Sequence, residues 1–370
     1  MTQARDLADL AGAATAGTIT GRNMVINGAM TVAQRGSLTG QTGTVYTACD
    51  RFLSAEVGDT VTTSTQDTDV PSGQGFANSL KIDVTTADAS LAASDVFLVM
   101  TRLEGQDLQH LLYGTSGAKD LTISFWVKSP KTGTHILELR HNDATYFNSQ
   151  AYTITSANTW QKVELTFSGY TATAFDNDNA YSLGITWFLA AGSDYTSGTL
   201  SSNTWHNTGA NRAVGQVNCV DDAANNFYLT GVQLEVGSTA TPFEHEDYGT
   251  TLAKCQRYYY KIIKNDGTVT YFGTGYHKNT TQSRIVCDLP VPMRIKPTAL
   301  EQTGTAGEYA TFEGGTQVTC TVVPTYTTYG TEFRQIVQFT SSGLVTGGAG
   351  DGRTKDVSDG TVYLAWSAEL

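Results

Sequence analysis

The sequence predicts an all-β fold: a two-sheet β-sandwich followed by a second C-terminal β domain, preceded by a short N-terminal helical segment. Three observations predict it. Apolar residues recur at every second position through many short segments, the period of a strand with one buried face. The chain of 370 residues carries 37 Gly and only 7 Pro, and turn residues punctuate the alternating segments. Charged residues are only 16%, and Thr and Ser fill the outer positions, as sheets with polar, uncharged faces require.

Residues 1–20 read as a separate piece. Leu7, Leu10 and Ala11 fall on one stripe of a short helix, and residues 13–17 form a small-residue linker. So short a helix is marginal in water and needs a partner. Residues 21–245 read as the sandwich. Residues 23–30 carry an Asn-Gly turn signal beside a strand, and Phe52 opens another strand. Alternation then marks residues 80–84, 121–127, 135–140, 160–167, 183–189 and 227–236. In the last of these, Val232, Leu234 and Val236 share a face, and Gly237 and Pro242 stop it. Trp160, Trp187 and Trp366 fall in strands and read as core. Residues 246–261 read as a connector helix, capped by Thr250 or Thr251, with Leu252, Cys255 and Tyr259 at helical spacing. Residues 262–370 form the second β region, with strands at 271–273, 283–289, 333–339 and 361–366. Pro290, Pro292 and Pro297 mark a turn-rich crossing, and residues 347–352 a flexible loop tip.

Net charge is −12, which disfavours nucleic-acid phosphates and anionic membranes as partners. Five cysteines (Cys49, Cys219, Cys255, Cys287, Cys320) lie far apart without a CxxC pair, which excludes a zinc ribbon or redox motif on spacing. They read as buried or free thiols of a protein made in a reducing cytoplasm, with a Cys49–Cys219 bridge as the alternative. No apolar run follows the first charges and none approaches a transmembrane span, so export is expected only as part of a particle.

Several phrases then line up in order: Leu7-Ala8-Asp9-Leu10 with its small-residue linker; Asn23-Met24-Val25-Ile26-Asn27-Gly28 with Gln34-Arg35-Gly36; Cys49-Asp50-Arg51-Phe52; Asn158-Thr159-Trp160-Gln161; the strand at 227–237; Cys255-Gln256-Arg257-Tyr258; and the ending Trp366-Ser367-Ala368-Glu369-Leu370. Together they resemble bacteriophage tail-fibre and other virion fibre proteins with a carbohydrate-binding-like jelly roll. Phe52 stands where that pattern more often has Trp. The resemblance implies a homotrimer on the virion surface, docked through residues 1–20 to other tail or capsid proteins. It implies a C-terminal β tip. As a fibre the chain would meet a host polysaccharide or outer-membrane receptor there, and the loop-rich segments 273–282 and 343–359 read as its contact loops. Three copies of the Leu7/Leu10 stripe would bury one another, and triplication would add avidity.

Jelly rolls hold sugars on aromatic platforms flanked by amides or carboxylates. Trp205, in a polar run without strand alternation, reads as a sugar platform or a subunit contact; Tyr146, Phe147, Tyr195 and Tyr276 are further candidates. Asp176, Asp178, Asp221 and Asp222 supply the oxygen type that a structural calcium takes, although no EF-hand pattern is present. No other cofactor is expected. Glu235, Glu244 and Glu246 are the carboxylates a polysaccharide depolymerase would need, but they fall around a linker. No nucleophile elbow, P-loop or dinucleotide fingerprint occurs, so a non-enzyme is expected. A capsid-decoration or tail-adaptor protein without receptor binding is the alternative function.

Overall fold

Leu121, Ile123, Phe125 and Val127 are all fully buried, as their alternation requires, and they build one inner wall of a sandwich. The structure is a computed structural model, and it describes residues 21–263, 269–355 and 361–370. The predicted anchor helix with Leu7, Leu10 and Ala11 lies outside the described residues, as does the 356–359 part of the second contact loop. The chain forms two compact units that divide in sequence between Thr251 and Leu252.

The first unit holds twelve strands: β1 (Leu38–Gln41), β2 (Val45–Tyr46), β3 (Phe52–Val57), β4 (Val61–Asp67), β5 (Ser79–Thr86), β6 (Val96–Glu104), β7 (Leu121–Lys128), β8 (Gly133–His141), β9 (Tyr146–Ile154), β10 (Gln161–Phe167), β11 (Tyr181–Ala191) and β12 (Asn226–Val236). They make two antiparallel six-stranded sheets, ordered β1-β4-β5-β12-β7-β10 and β2-β3-β6-β11-β8-β9. The chain crosses repeatedly between the sheets, a jelly-roll sandwich. Trp187 of one sheet packs 5.6 Å edge-on from Phe125 of the other and 6.3 Å from Phe52 of its own. A four-residue helix, α1 (Ser193–Thr196), opens the long segment between β11 and β12. That segment sends Tyr195, Leu200 and Ala213 onto Ile136 and Phe188, on the outer side of the second sheet.

Residues 23–30 form a turn rather than a strand. β12 is paired with β5 only as far as Leu229, and Gly231 takes φ 62° at a break in register. The turn satisfies the edge freed beyond that point: Met24 N–H donates to Leu234 O (2.9 Å) and Val232 N–H to Gly28 O (2.9 Å). The carboxylate of Glu244 accepts the N–H of Asn23 at 2.8 Å, and that of Glu235 accepts Thr241 N–H at 2.9 Å. Trp160 also departs from expectation. It precedes β10, is only partly buried, and donates to Asp69 Oδ1 at 2.8 Å on the outside of the sandwich. Trp187 and Trp366 are fully buried. All five cysteines are buried and none is in a disulfide, so Cys49 and Cys219 form no bridge.

The second helix, α2 (Tyr248–Gln256), is shorter than the predicted 246–261 and is capped by Asp247, whose Oδ1 accepts Thr250 N–H at 3.0 Å. The tyrosines that follow belong to a strand. The second unit contains β13 (Tyr259–Ile263), β14 (Tyr271–His277), β15 (Gln282–Asp288), β16 (Glu301–Gln302), β17 (Tyr309–Glu313), β18 (Thr316–Thr319), β19 (Val322–Tyr326), β20 (Arg334–Thr340), β21 (Ala349–Thr354) and β22 (Tyr363–Ser367). Three of them form a sheet β13-β22-β16, and seven form a sheet β18-β17-β21-β14-β15-β20-β19. Phe272, Tyr309, Phe339 and Trp366 fill the core of this unit. Residues 349–352, predicted as part of a loop tip, lie in β21. Glycine is required there by packing: a Cβ on Gly350 would meet His277 at 2.6 Å and one on Gly352 would meet Phe339 at 2.8 Å. The edge strands are β18, of four residues, and β19, where Pro324 falls at a break in register.

Candidate functional site

The seven-stranded sheet buries one face and leaves the other open. Ile285, Cys287, Val337 and Phe339 point into the core, so their neighbours Arg284, Val286, Asp288 and Ile336 point out. A bulge at the start of β14 adds to this. Tyr271 pairs with Arg353 and Gly273 with Gly352, which sends Phe272 inward while Tyr271, Thr274 and Tyr276 face outward. Tyr271 is 59% exposed and Tyr276 54% exposed.

A groove of about 800 Å³ crosses this face, running from Phe312 and Asp351 past Thr274 and Val286 to Asp288 and Arg334. Its floor is made of small residues, among them Gly275, Ala349 and Gly350. At one end Arg353 forms a two-pronged pair with Asp351, its Nε 2.6 Å from Oδ1. That guanidinium lies 4.1 Å from the Phe312 ring centroid and 4.4 Å from that of Tyr271. Hydrogen bonding to Asp351 raises the Arg353 pKa further. At the other end Arg334 Nε donates to Asp288 Oδ1 at 2.6 Å. Arg284 leaves the groove and lies over Tyr329, 5.3 Å from its centroid. The arrangement offers hydroxyl-rich molecules both donors and acceptors beside exposed rings.

Of the residues singled out in the sequence, Tyr276 lies on this face, beside Ala349. The others belong to the first unit and are not gathered in one place. Trp205 is partly buried, 5.3 Å from Tyr170 and 6.1 Å from Tyr113, and its indole N–H donates to Ser168 O at 2.7 Å. Tyr146 packs 5.1 Å from the same Tyr170, so both join an aromatic cluster around His141 and Phe175. Phe147 and Tyr195 flank Arg212, whose guanidinium is 4.1 and 5.6 Å from their rings.

The four aspartates are not brought together either. Asp221 pairs with Lys131 at 2.6 Å and accepts from Asn225 at 2.7 Å. Asp222 accepts Ala224 N–H and Asp178 accepts Ala180 N–H, while Asp176 is exposed on the same turn as Asp178. Among the described residues no group of three or more His, Cys, Asp or Glu side chains is placed to hold a metal ion. Sequence reasoning missed Tyr271, Phe312, Asp288, Arg334 and the Asp351–Arg353 pair. The Asp-x-Arg spacing was the available signal, since i and i+2 share one face of a strand.

No protein-family model matches the chain. No curated protein matches it. Among solved structures it is similar to the enzymatically active domain of tailspike protein 4 of bacteriophage CBA120, at 14% identity and a TM-score of 0.29, over 58% of this chain and 22% of that one. The chain thus spans less than a quarter of that relative's length. It is also similar to the family 11 carbohydrate-binding module of a Clostridium thermocellum cellulase, at 13% identity and a TM-score of 0.27, over 54% of this chain and 98% of that one. A third likeness is to carbohydrate-binding module 61 in complex with β-1,4-galactotriose, at 9% identity and a TM-score of 0.30, over 58% and 99% of the two chains.

Proposed function

We propose that this chain is a phage virion fibre protein that attaches the particle to glycans on the host surface and does not cut them. The open face of the seven-stranded sheet carries this reading. Exposed tyrosines stand there beside two Arg–Asp pairs over a floor of small residues, an arrangement suited to stacking sugar rings and bonding their hydroxyls. The order of the fibre-like phrases along the chain supports the virion setting. In this reading the protein is made in the bacterial cytoplasm and ends on the virion surface. Residues 1–20 dock it to tail or capsid proteins, 21–245 form a shaft, 246–261 connect, and 262–370 form the tip. Three copies assemble, so that weak sugar contacts sum to firm attachment.

The non-catalytic part of the proposal is supported by Glu235 and Glu244, which both spend carboxylate oxygens on backbone N–H groups of the first unit. Light scattering on the purified chain, followed by binding to host cells and to their extracted polysaccharides, tests the proposal. A mass near three times 39.6 kDa with saturable glycan binding is expected. A trimer that binds no cell would point to the decoration or adaptor role. Release of sugar fragments would overturn the non-enzymatic reading.

A further inference from the structure

We infer that the groove selects neutral, polyhydroxylated glycan chains laid across the strands, and rejects acidic polysaccharides. This rests on the glycan-attachment reading above. Two Arg–Asp pairs stand at the ends of the groove, and within each pair the charges balance. Asp351 holds Arg353, and Asp288 holds Arg334 at 2.6 Å. An acidic sugar entering here would meet guanidinium charges already neutralised by carboxylates that repel it. It would also approach a chain of net charge −12. The third guanidinium of this face, on Arg284, lies over Tyr329 outside the lining.

A sugar hydroxyl both donates and accepts, and each Arg–Asp pair keeps free lone pairs and free N–H groups for that exchange. The outer pair is open to it: the side chains of Arg334 and Asp288 are 60% and 71% exposed. Tyr276, next to Ala349 in the lining, offers an exposed ring for the apolar face of a sugar. Length follows from the sheet order. Phe312 on β17 and Arg334 on β20 are separated by β21, β14 and β15, four strand spacings or about 19 Å. A single ring fills a fraction of that span, so a chain of rings is the fitting ligand.

The test uses the full chain. Titration calorimetry is run with neutral hexasaccharides of glucose, galactose and mannose, with polygalacturonate, and with free monosaccharides, each at low and high salt. Two variants accompany it. Thr274→Arg plugs the floor from an exposed position, and Arg334→Gln breaks the exposed pair without touching the core. The expected result is binding of a neutral hexasaccharide, stronger than its monosaccharide and little changed by salt. Either variant should weaken it about tenfold, the loss of one charge-assisted hydrogen bond or its equivalent. Preferential, salt-sensitive binding of polygalacturonate overturns this inference and leaves glycan attachment standing. Neutral binding unmoved by both variants overturns the assignment to the groove. A fall in solution mass on Thr274→Arg would make the face a contact between copies and overturn it too. Failure of every glycan to bind would remove both this inference and the reading beneath it.

Discussion

At the scale of the residue, the first unit is held by a charge pair the sequence does not announce. Glu138 is fully buried on β8, and Arg212 reaches it from the segment after α1 with two hydrogen bonds of 2.8 and 2.7 Å. Burying either charge alone is costly. Arg212→Ala should therefore destabilise the first unit by about 3–5 kcal/mol. The joint change Glu138→Gln with Arg212→Met should cost much less, as urea denaturation can measure. Histidines add a pH dependence. Burial is the first cause lowering the pKa of His135, His141 and His206 below the usual 6.5, partly opposed by backbone hydrogen bonds. The unfolded chain then binds protons more readily than the folded one as pH falls below 6.5. Their contribution to stability is full above that value and is lost as pH drops toward the lowered folded values. Melting of the first unit should thus shift downward between pH 7 and pH 5, and His135→Gln should reduce the shift. Single residues were the least legible part of this chain. Trp160 was misread as core because strand-like spacing extends one residue too far, and the contacts of Trp205 with Tyr170 and Tyr113 were hidden because its polar run carries no period. Tyr276 was read as part of a contact loop at 273–282, whereas its backbone runs in β14 as far as His277, because the glycines at 273 and 275 read as loop.

Elements were read more faithfully, because a strand with one buried face writes its period into the sequence. The strands built around Leu121, Val163, Leu183 and Phe227 all formed. Those at 96–104 and 146–154 went unread, and for β6 the reason is plain: nearly every residue is buried, since its outer side lies with Leu53 and Phe188 under the segment that carries Tyr195, Leu200 and Ala213. The glycine-rich β21 was misread because composition alone says loop, while the cause of those glycines is the bulk of His277 and Phe339 beneath them. The helix end was misread because Tyr259 keeps helical spacing although its backbone pairs with Ser367. The turn at 23–30 illustrates how an irregular element completes a regular one. A Cβ on Gly28 would stand 2.0 Å from Val232 O. Gly28→Ala should push the turn off β12 and cost about 1–3 kcal/mol, a melting shift of several degrees in the first unit.

For the whole molecule, the cores of the two units share no residue, so each carries its own stability. Calorimetry should resolve two transitions. Trp366→Ala, in the centre of the second core, should lower one of them by about 3–5 kcal/mol and leave the other in place. A single transition moved as a whole would show that the units unfold together. The groove belongs to the second unit alone, so its ligand should raise only that unit's transition. The seven-stranded sheet ends on two guarded edges. β18 is four residues of mostly hydroxyl and amide side chains, and β19 places Pro324, which has no N–H, on the rim. One border is too short and the other too interrupted to template another molecule. Through this sheet, then, copies brought side by side would not knit into ribbons, and their like charge would keep them apart.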